Sequence, residues 1–224
     1  MQADKPTRII VYVDGYNVYH GFKRKGWEKH LWLDYVEVFN RVRLDGQEIR
    51  AVKYFTAPTR RQGSNERQDR YLEALRINGG GLQICLGKTV NRPYKCPGCK
   101  AKRCPQCDAK FAREQEKETD VNMAIEMLLD CFDDEVDELW LMSRDSDLVP
   151  VVKKVTERFG KKVLVIPPPD GSGGSSGADS LVAAAGGEEF RFHVGAQVWR
   201  QSQLPDELQR KKGAKRVKRP TEWA

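Results

Sequence analysis

Residues 8–14 read Arg8-Ile-Ile-Val-Tyr-Val-Asp14. An apolar, β-branched run of this length is a buried strand, and its abrupt end in a carboxylate is what a binding edge needs. Working outward, residues 17–25 carry a polar amphipathic helical pattern. Leu33, Val36, Phe39, Val42 and Leu44 then recur at helical spacing. Residues 50–57 (RAVKYFTA) predict a second strand closed by Pro58, and residues 65–77 a helix with Tyr71, Leu72 and Leu75 inward, stopped by Gly79-Gly80-Gly81. Residues 82–87 (LQICLG) predict strand three. A cysteine-rich insert follows, then a helix over 116–131 with Val121, Ala124, Ile125 and Leu128 on one face. Residues 138–142 (ELWLM) are strand four, 148–159 a helix and 162–166 (KVLVI) strand five. Strands alternating with helices predict right-handed crossovers and a mostly parallel α/β sheet covered on both faces.

Residues 167–177 (PPPDGSGGSSG) predict a loop, because prolines remove donors and glycines cost entropy. A short helix near 181–185 and a last strand at 190–194 follow, with an extended, weakly ordered chain from Gln203. The 224 residues carry a formal charge of +7, and the seven cations Arg210, Lys211, Lys212, Lys215, Arg216, Lys218 and Arg219 account for all of it. Such a segment either attracts polyanions through counterion release or is simply a solvated basic tail. No apolar run is long enough to span a bilayer, and MQADKPTR lacks the pattern of a secretory signal. A cytoplasmic setting is therefore expected, in which cysteines serve as metal ligands or core residues.

In open α/β sheets, ligands bind beyond the carboxyl ends of the strands. Asp14 follows strand one, Asp145 and Asp147 follow strand four, and Asp120 lies in the first turns of the helix after strand three. Each alone has the simpler reading of a helix cap or first-turn charge. As a set, they need raised pKa values or a cation among them, and oxygen ligands without nearby His or Cys suit Mg²⁺ or Mn²⁺. His20, His30 and His193 are scattered, and no phosphate-loop pattern is present, so neither a Ser/His/Asp hydrolase nor a P-loop enzyme is indicated. Tyr16, Tyr19 and Trp27 either stack bases or cover helix surfaces.

The stretches IVYVDGYNVYHGF (10–22), KETDVNMAIEMLLD (117–130) and ELWLMSRDSDLVPVVKKV (138–155) resemble the signature regions of the NYN/LabA-like branch of the PIN-like nucleases. The later QLPDEL and RPTEW segments resemble that branch as well. The resemblance implies a three-layer α/β/α Rossmann-like PIN domain over residues 8–200, with strand order 3-2-1-4-5, followed by a basic tail over 201–224. It also implies metal-dependent phosphodiester cleavage, usually of RNA and most simply by an endoribonuclease. Asp14, Asp120, Asp145 and Asp147 would be the catalytic metal ligands, Asn17 a supporting polar group, and Ser143 a partner of phosphate or of a carboxylate. The family commonly has glycine where this chain has Arg144. The arginine either grips phosphate or marks a retuned site. A nucleic-acid-binding or protein-interaction module that does not cleave, and a nuclease acting on DNA, are the alternatives, and self-association is left open.

Cys96-Pro-Gly-Cys99 and Cys104-Pro-Gln-Cys107 form two CxxC pairs within an insert over 92–112. Four thiolates at this spacing predict a closed, structural zinc site, with paired disulfides or an iron–sulfur cluster as alternatives. Cys85 and Cys131 predict buried small hydrophobes. The insert enters the helix bearing Asp120, so the knuckle either forms a wall of a substrate groove or only staples a loop. In the first case Lys88, Arg92, Lys95, Lys100, Lys102 and Arg103 would meet phosphates.

Overall fold

The computed structural model describes residues 5–106, 108, 111–171, 177–210, 213 and 216–224. Strand β1 (Thr7–Asp14) is the centre of a five-stranded sheet with β2 (Gln47–Thr56), β3 (Leu82–Leu86), β6 (Glu138–Met142) and β7 (Lys162–Val165), in the order β3-β2-β1-β6-β7. Every pairing in it is parallel. The expected five-strand order therefore holds. Alternate side chains of β1 serve opposite layers. Ile9, Val11 and Val13 pack with α1 (Gly15–Arg24), α2 (Tyr35–Val42) and α3 (Ser64–Asn78), and Ile10 and Tyr12 with α4 (Thr119–Phe132), α5 (Val149–Phe159) and α6 (Gly177–Ala185). Each fully buried aliphatic side chain contributes about 1.5–3 kcal/mol, so this doubly covered strand anchors both cores. No helix of the described residues is long and apolar enough to cross a membrane.

Four expectations are corrected. First, the helix after the insert starts at Thr119. Residues 111–117 instead form β5 (Phe111–Lys117), which pairs antiparallel with β4 (Lys88–Tyr94) in a seven-pair ribbon carrying the cysteines at its tip. Helix-favouring residues are overridden there by pairing across the insert. Second, α4 turns Met123, Met127 and Cys131 inward; of the expected face, Ala124 and Leu128 pack against the core while Val121 and Ile125 are exposed. Third, residues 190–194 make no strand. Val165 bridges Arg191 alone, because the chain enters from a 3₁₀ turn at Glu188–Phe190. Fourth, the chain beyond Gln203 folds back. A short hairpin of β8 (Glu207–Leu208) and β9 (Val217–Lys218) follows α7 (Ala196–Gln201), and Leu204, Leu208 and Trp223 are buried in the core that holds Trp32. Three apolar anchors in a basic context suffice to dock it. Lys211, Lys212 and Lys215, and residues 172–176 of the expected loop, lie outside the described residues.

Candidate metal and nucleic-acid site

The carboxyl ends of β1 and β6 are adjacent in the sheet, and the side chains leaving them are joined. Asp14 caps α1 by accepting from the Asn17 amide at 2.9 Å. Its other oxygen accepts the Ser143 hydroxyl at 2.8 Å, and Ser143 Oγ accepts the Asp145 amide at 3.0 Å. Asp145 in turn accepts the Asp147 amide at 2.9 Å. Asp14 and Asp145 thus do act as caps, which fixes both carboxylates at the carboxyl edge of the sheet. Gly15 makes room for this edge: a Cβ there would lie 2.5 Å from the ring and hydroxyl of Tyr54. Gly177 at the start of α6 similarly lets the Arg144–Ser146 backbone approach, since a Cβ would meet the Arg144 carbonyl at 2.1 Å.

Asp120, on the first turn of α4, completes the group. Ligand oxygens of Asp120, Asp145 and Asp147 all lie within 4.8 Å of one another. Asp14 is not part of that triplet. It lines a pocket of about 200 Å³ together with Asn17, Asp120 and Asp145. Burial pushes the Asp14 carboxyl up to about 7, against the lowering effect of its Asn17 and Ser143 hydrogen bonds and with added repulsion from Asp120 and Glu116. Burial, then the charges of Asp145 and Asp147, also raise Asp120. The Asn17 side-chain oxygen is buried without a hydrogen-bond partner. Clustered hard oxygens plus an orphaned amide oxygen fit an octahedral divalent cation such as Mg²⁺ or Mn²⁺.

The substrate-contact candidates separate. Arg144 Nε donates to the Pro168 carbonyl at 2.9 Å, holding the segment after β7. Lys88 pairs with Glu118 at 3.0 Å at the ribbon base, and Arg92 is exposed on the ribbon opposite Arg113. The cations that do line the acidic pocket are Arg113 and Lys117 of β5, which sequence reading missed along with Glu116. Burial raises Glu116, opposed by the Thr119 hydroxyl that it accepts and reinforced by Asp120. The alternation of Arg113, Gln115 and Lys117 with Glu114 and Glu116 was the available signal for this strand.

At the ribbon tip, Cys96, Cys99 and Cys104 present sulfurs within 4.8 Å of one another, and none is in a disulfide. Cys107 lies outside the described residues. The Cys96 and Cys104 carbonyls are engaged alike. The Lys100 amide donates to the Cys96 carbonyl at 2.9 Å and the Asp108 amide to the Cys104 carbonyl at 2.7 Å. Lys100 and Asp108 both have φ in the left-handed region. This repeated pattern fits thiolate ligation of one tetrahedral ion. From Thr89, opposite Glu116, to Tyr94 the ribbon rises about 17 Å at ~3.3 Å per residue, and Cys96 lies two residues beyond. The length of β5 from Arg113 to Lys117, rather than the cysteine tip, walls the acidic pocket.

A parallel sheet in this order, with carboxylates gathered at the ends of β1 and β6, defines a PIN-like, nuclease-like domain. Residues 8–188 match the NYN domain, and the chain belongs to that family. Over 194 residues it is 27% identical to 6-hydroxy-3-succinoylpyridine 3-monooxygenase HspA of Pseudomonas putida (strain DSM 28022 / S16), covering 72% of this chain. The chain spans 60% of the length of that curated relative. Its fold is similar to the crystal structure of a protein of unknown function from Vibrio parahaemolyticus RIMD 2210633, with a TM-score of 0.50 and 20% identity over 88% of this chain and 98% of that one.

Proposed function

We propose that this protein is a Mg²⁺- or Mn²⁺-dependent nuclease, acting in the cytoplasm as an endoribonuclease. The observation that carries this reading is the convergence of Asp120, Asp145 and Asp147 within 4.8 Å at the carboxyl edge of the sheet, in a family whose domain is nuclease-like. Asp120, Asp145 and Asp147 would hold the cation, with Asp14 and Asn17 lining the same pocket. When bound, such an ion lowers the pKa of water and offsets charge on phosphodiester oxygens. Ser143 is a positioning residue: its hydroxyl fixes Asp14 and the Asp145 backbone together. Arg113 and Lys117 line the same pocket, where they would hold the phosphates flanking the cut. The thiolates at the ribbon tip take Zn²⁺ as a structural ion.

The test is cleavage of end-labelled single-stranded RNA and DNA by wild type, Asp14→Asn and Asp145→Asn, with and without Mn²⁺. Metal-dependent cutting of RNA by wild type, lowered at least 100-fold in Asp145→Asn, is expected. Cutting of DNA alone would reassign the substrate. RNA binding by all three proteins with no cutting, with or without Mn²⁺, would establish a non-cleaving binding module instead. The Arg144 contact with Pro168 weighs against that second reading, because the arginine is committed to a loop and is not among the residues lining the acidic pocket.

A further inference from the structure

A second cavity, of about 240 Å³, opens beside the carboxylates, and the two share Tyr16, Glu114 and Glu116 as a common wall. Its deep end is built from aromatic rings brought together by four elements. Tyr35 of α2 lies 5.3 Å from Tyr54 of β2, Tyr54 lies edge-on 6.1 Å from Tyr71 of α3, and Tyr71 lies edge-on 5.8 Å from Trp223. These rings hold one another, and Tyr71 also donates to the Leu33 carbonyl at 2.9 Å. The walls are therefore set before any ligand arrives. At the mouth, Tyr16 packs 4.2 Å from His20 and is 55% exposed, with Lys23 and Arg61 beside it.

The dimensions discriminate between ligands. Pockets for whole drug-sized molecules run to roughly 300–1,000 Å³, so this one takes a single planar ring system and leaves the rest outside. Rings lining a cavity bind a flat π-face with little regard to its identity, and acidic side chains on the wall accept hydrogen bonds from ring amino or imino groups. Cations at the mouth suit an anionic group attached to that ring. The shared wall puts such an anion next to Asp120 and Asp145.

We propose that this cavity is a base pocket, which draws in the nucleobase adjacent to the phosphate held at the carboxylates and so sets where the strand is cut. The substrate class rests on the nuclease reading above. The pocket itself does not, because a mononucleotide that cannot be cleaved still has a base to insert. A strand entering here must present an unstacked base, so single-stranded regions are favoured over duplex.

The experiment is saturation-transfer NMR of the full chain with each of the four ribonucleoside 5′-monophosphates, with ribose 5-phosphate and with nicotinate. Transfer to base protons of at least one nucleotide is expected, with ribose 5-phosphate binding at least about 10-fold more weakly. Tyr16→Ala should weaken nucleotide binding at least about 5-fold, and Tyr16→Phe should restore it, because the ring face is what is used. Ala57→Leu, which adds bulk to the cavity wall, should weaken it as well. Equal binding of nucleotides and ribose 5-phosphate, indifference to both substitutions, or tighter binding of nicotinate than of any nucleotide would overturn the proposal. Nucleotide binding by a protein that never cuts nucleic acid would leave the pocket standing and remove the nuclease reading. Cutting without nucleotide binding would do the reverse.

Discussion

Asp14 sits where burial and repulsion oppose its ionisation, and the sign of the consequence follows from linkage. Its carboxyl is ordinarily half-ionised near 3.8 and here near 7. Between those values the folded protein holds a proton that the unfolded chain has released. Stability from this group is thus complete below about 3.8 and falls as pH rises towards about 7, by at most ~1.4 kcal/mol per pH unit. A bound divalent cation opposes that loss by favouring the ionised form. We predict that, with Mg²⁺ and Mn²⁺ withheld and zinc retained, Asp14→Asn gains in melting temperature relative to wild type as pH is raised through this window. Mn²⁺ should then stabilise wild type and leave the variant nearly unmoved. A Tm difference independent of both pH and Mn²⁺ would sink the idea. At this scale Asp14, Asp120, Asp145 and Asp147 were legible because each follows or opens an element whose pattern is strong. Glu116 was not, since its place depends on a strand that only long-range pairing creates.

Among the elements, the β4–β5 ribbon has the most to explain. A two-stranded ribbon is marginal by itself, and this one is held at both ends. At its base Lys88 pairs with Glu118 at 3.0 Å, at mid-length Glu114 accepts the Thr59 hydroxyl at 2.7 Å and the Arg60 amide at 2.8 Å, and at its tip the cysteines gather. Removing the tip should therefore loosen the ribbon while sparing the sheet. Cys99→Ser is expected to abolish zinc binding and to raise amide hydrogen exchange at least 10-fold across Val90–Tyr94 and Phe111–Gln115, leaving Ile9–Val13 and Leu139–Met142 protected. Exchange that rises equally in β1 and β6 would mean that the knuckle supports the whole domain. Unchanged zinc content would mean that these thiols do not ligate it. The ribbon escaped sequence reading because Lys88–Tyr94 is polar and proline-bearing, and Phe111–Lys117 favours a helix locally. The α4 face was misassigned at Val121 and Ile125 for a related reason, while Ala124 and Leu128 do meet the core. Met123, Met127 and Cys131 and the stripe of Val121, Ile125 and Leu129 are both at helical spacing, and only the sheet beneath decides which is buried.

At the scale of the whole molecule, the five parallel strands were legible from their apolar runs, whereas the return of the last residues was not. Leu204, Leu208 and Trp223 are separated by polar and basic sequence that reads as solvated. Yet Trp223 is 5% exposed, 6.4 Å from Trp32, and flanked by the Arg67–Glu222 ion pair at 2.8 Å. Trp32 Nε1 donates to the Pro205 carbonyl at 2.9 Å, so the returning chain supplies a partner to a fully buried indole. The segment is thus part of the core and a wall of the aromatic cavity together. Truncating a large buried aromatic removes its burial energy and leaves a void, typically at a cost of ~3–5 kcal/mol. Trp223→Ala is predicted to lose about that much in urea unfolding. Glu222→Gln, which weakens exposed contacts with Arg67 and Thr221, should leave the urea midpoint nearly unmoved. The larger loss should also reach the base pocket, so nucleotide binding by Trp223→Ala should fall even under conditions where the variant is fully folded. A Trp223→Ala protein as stable as wild type would show that residues beyond Gln203 are appended to the domain rather than built into it.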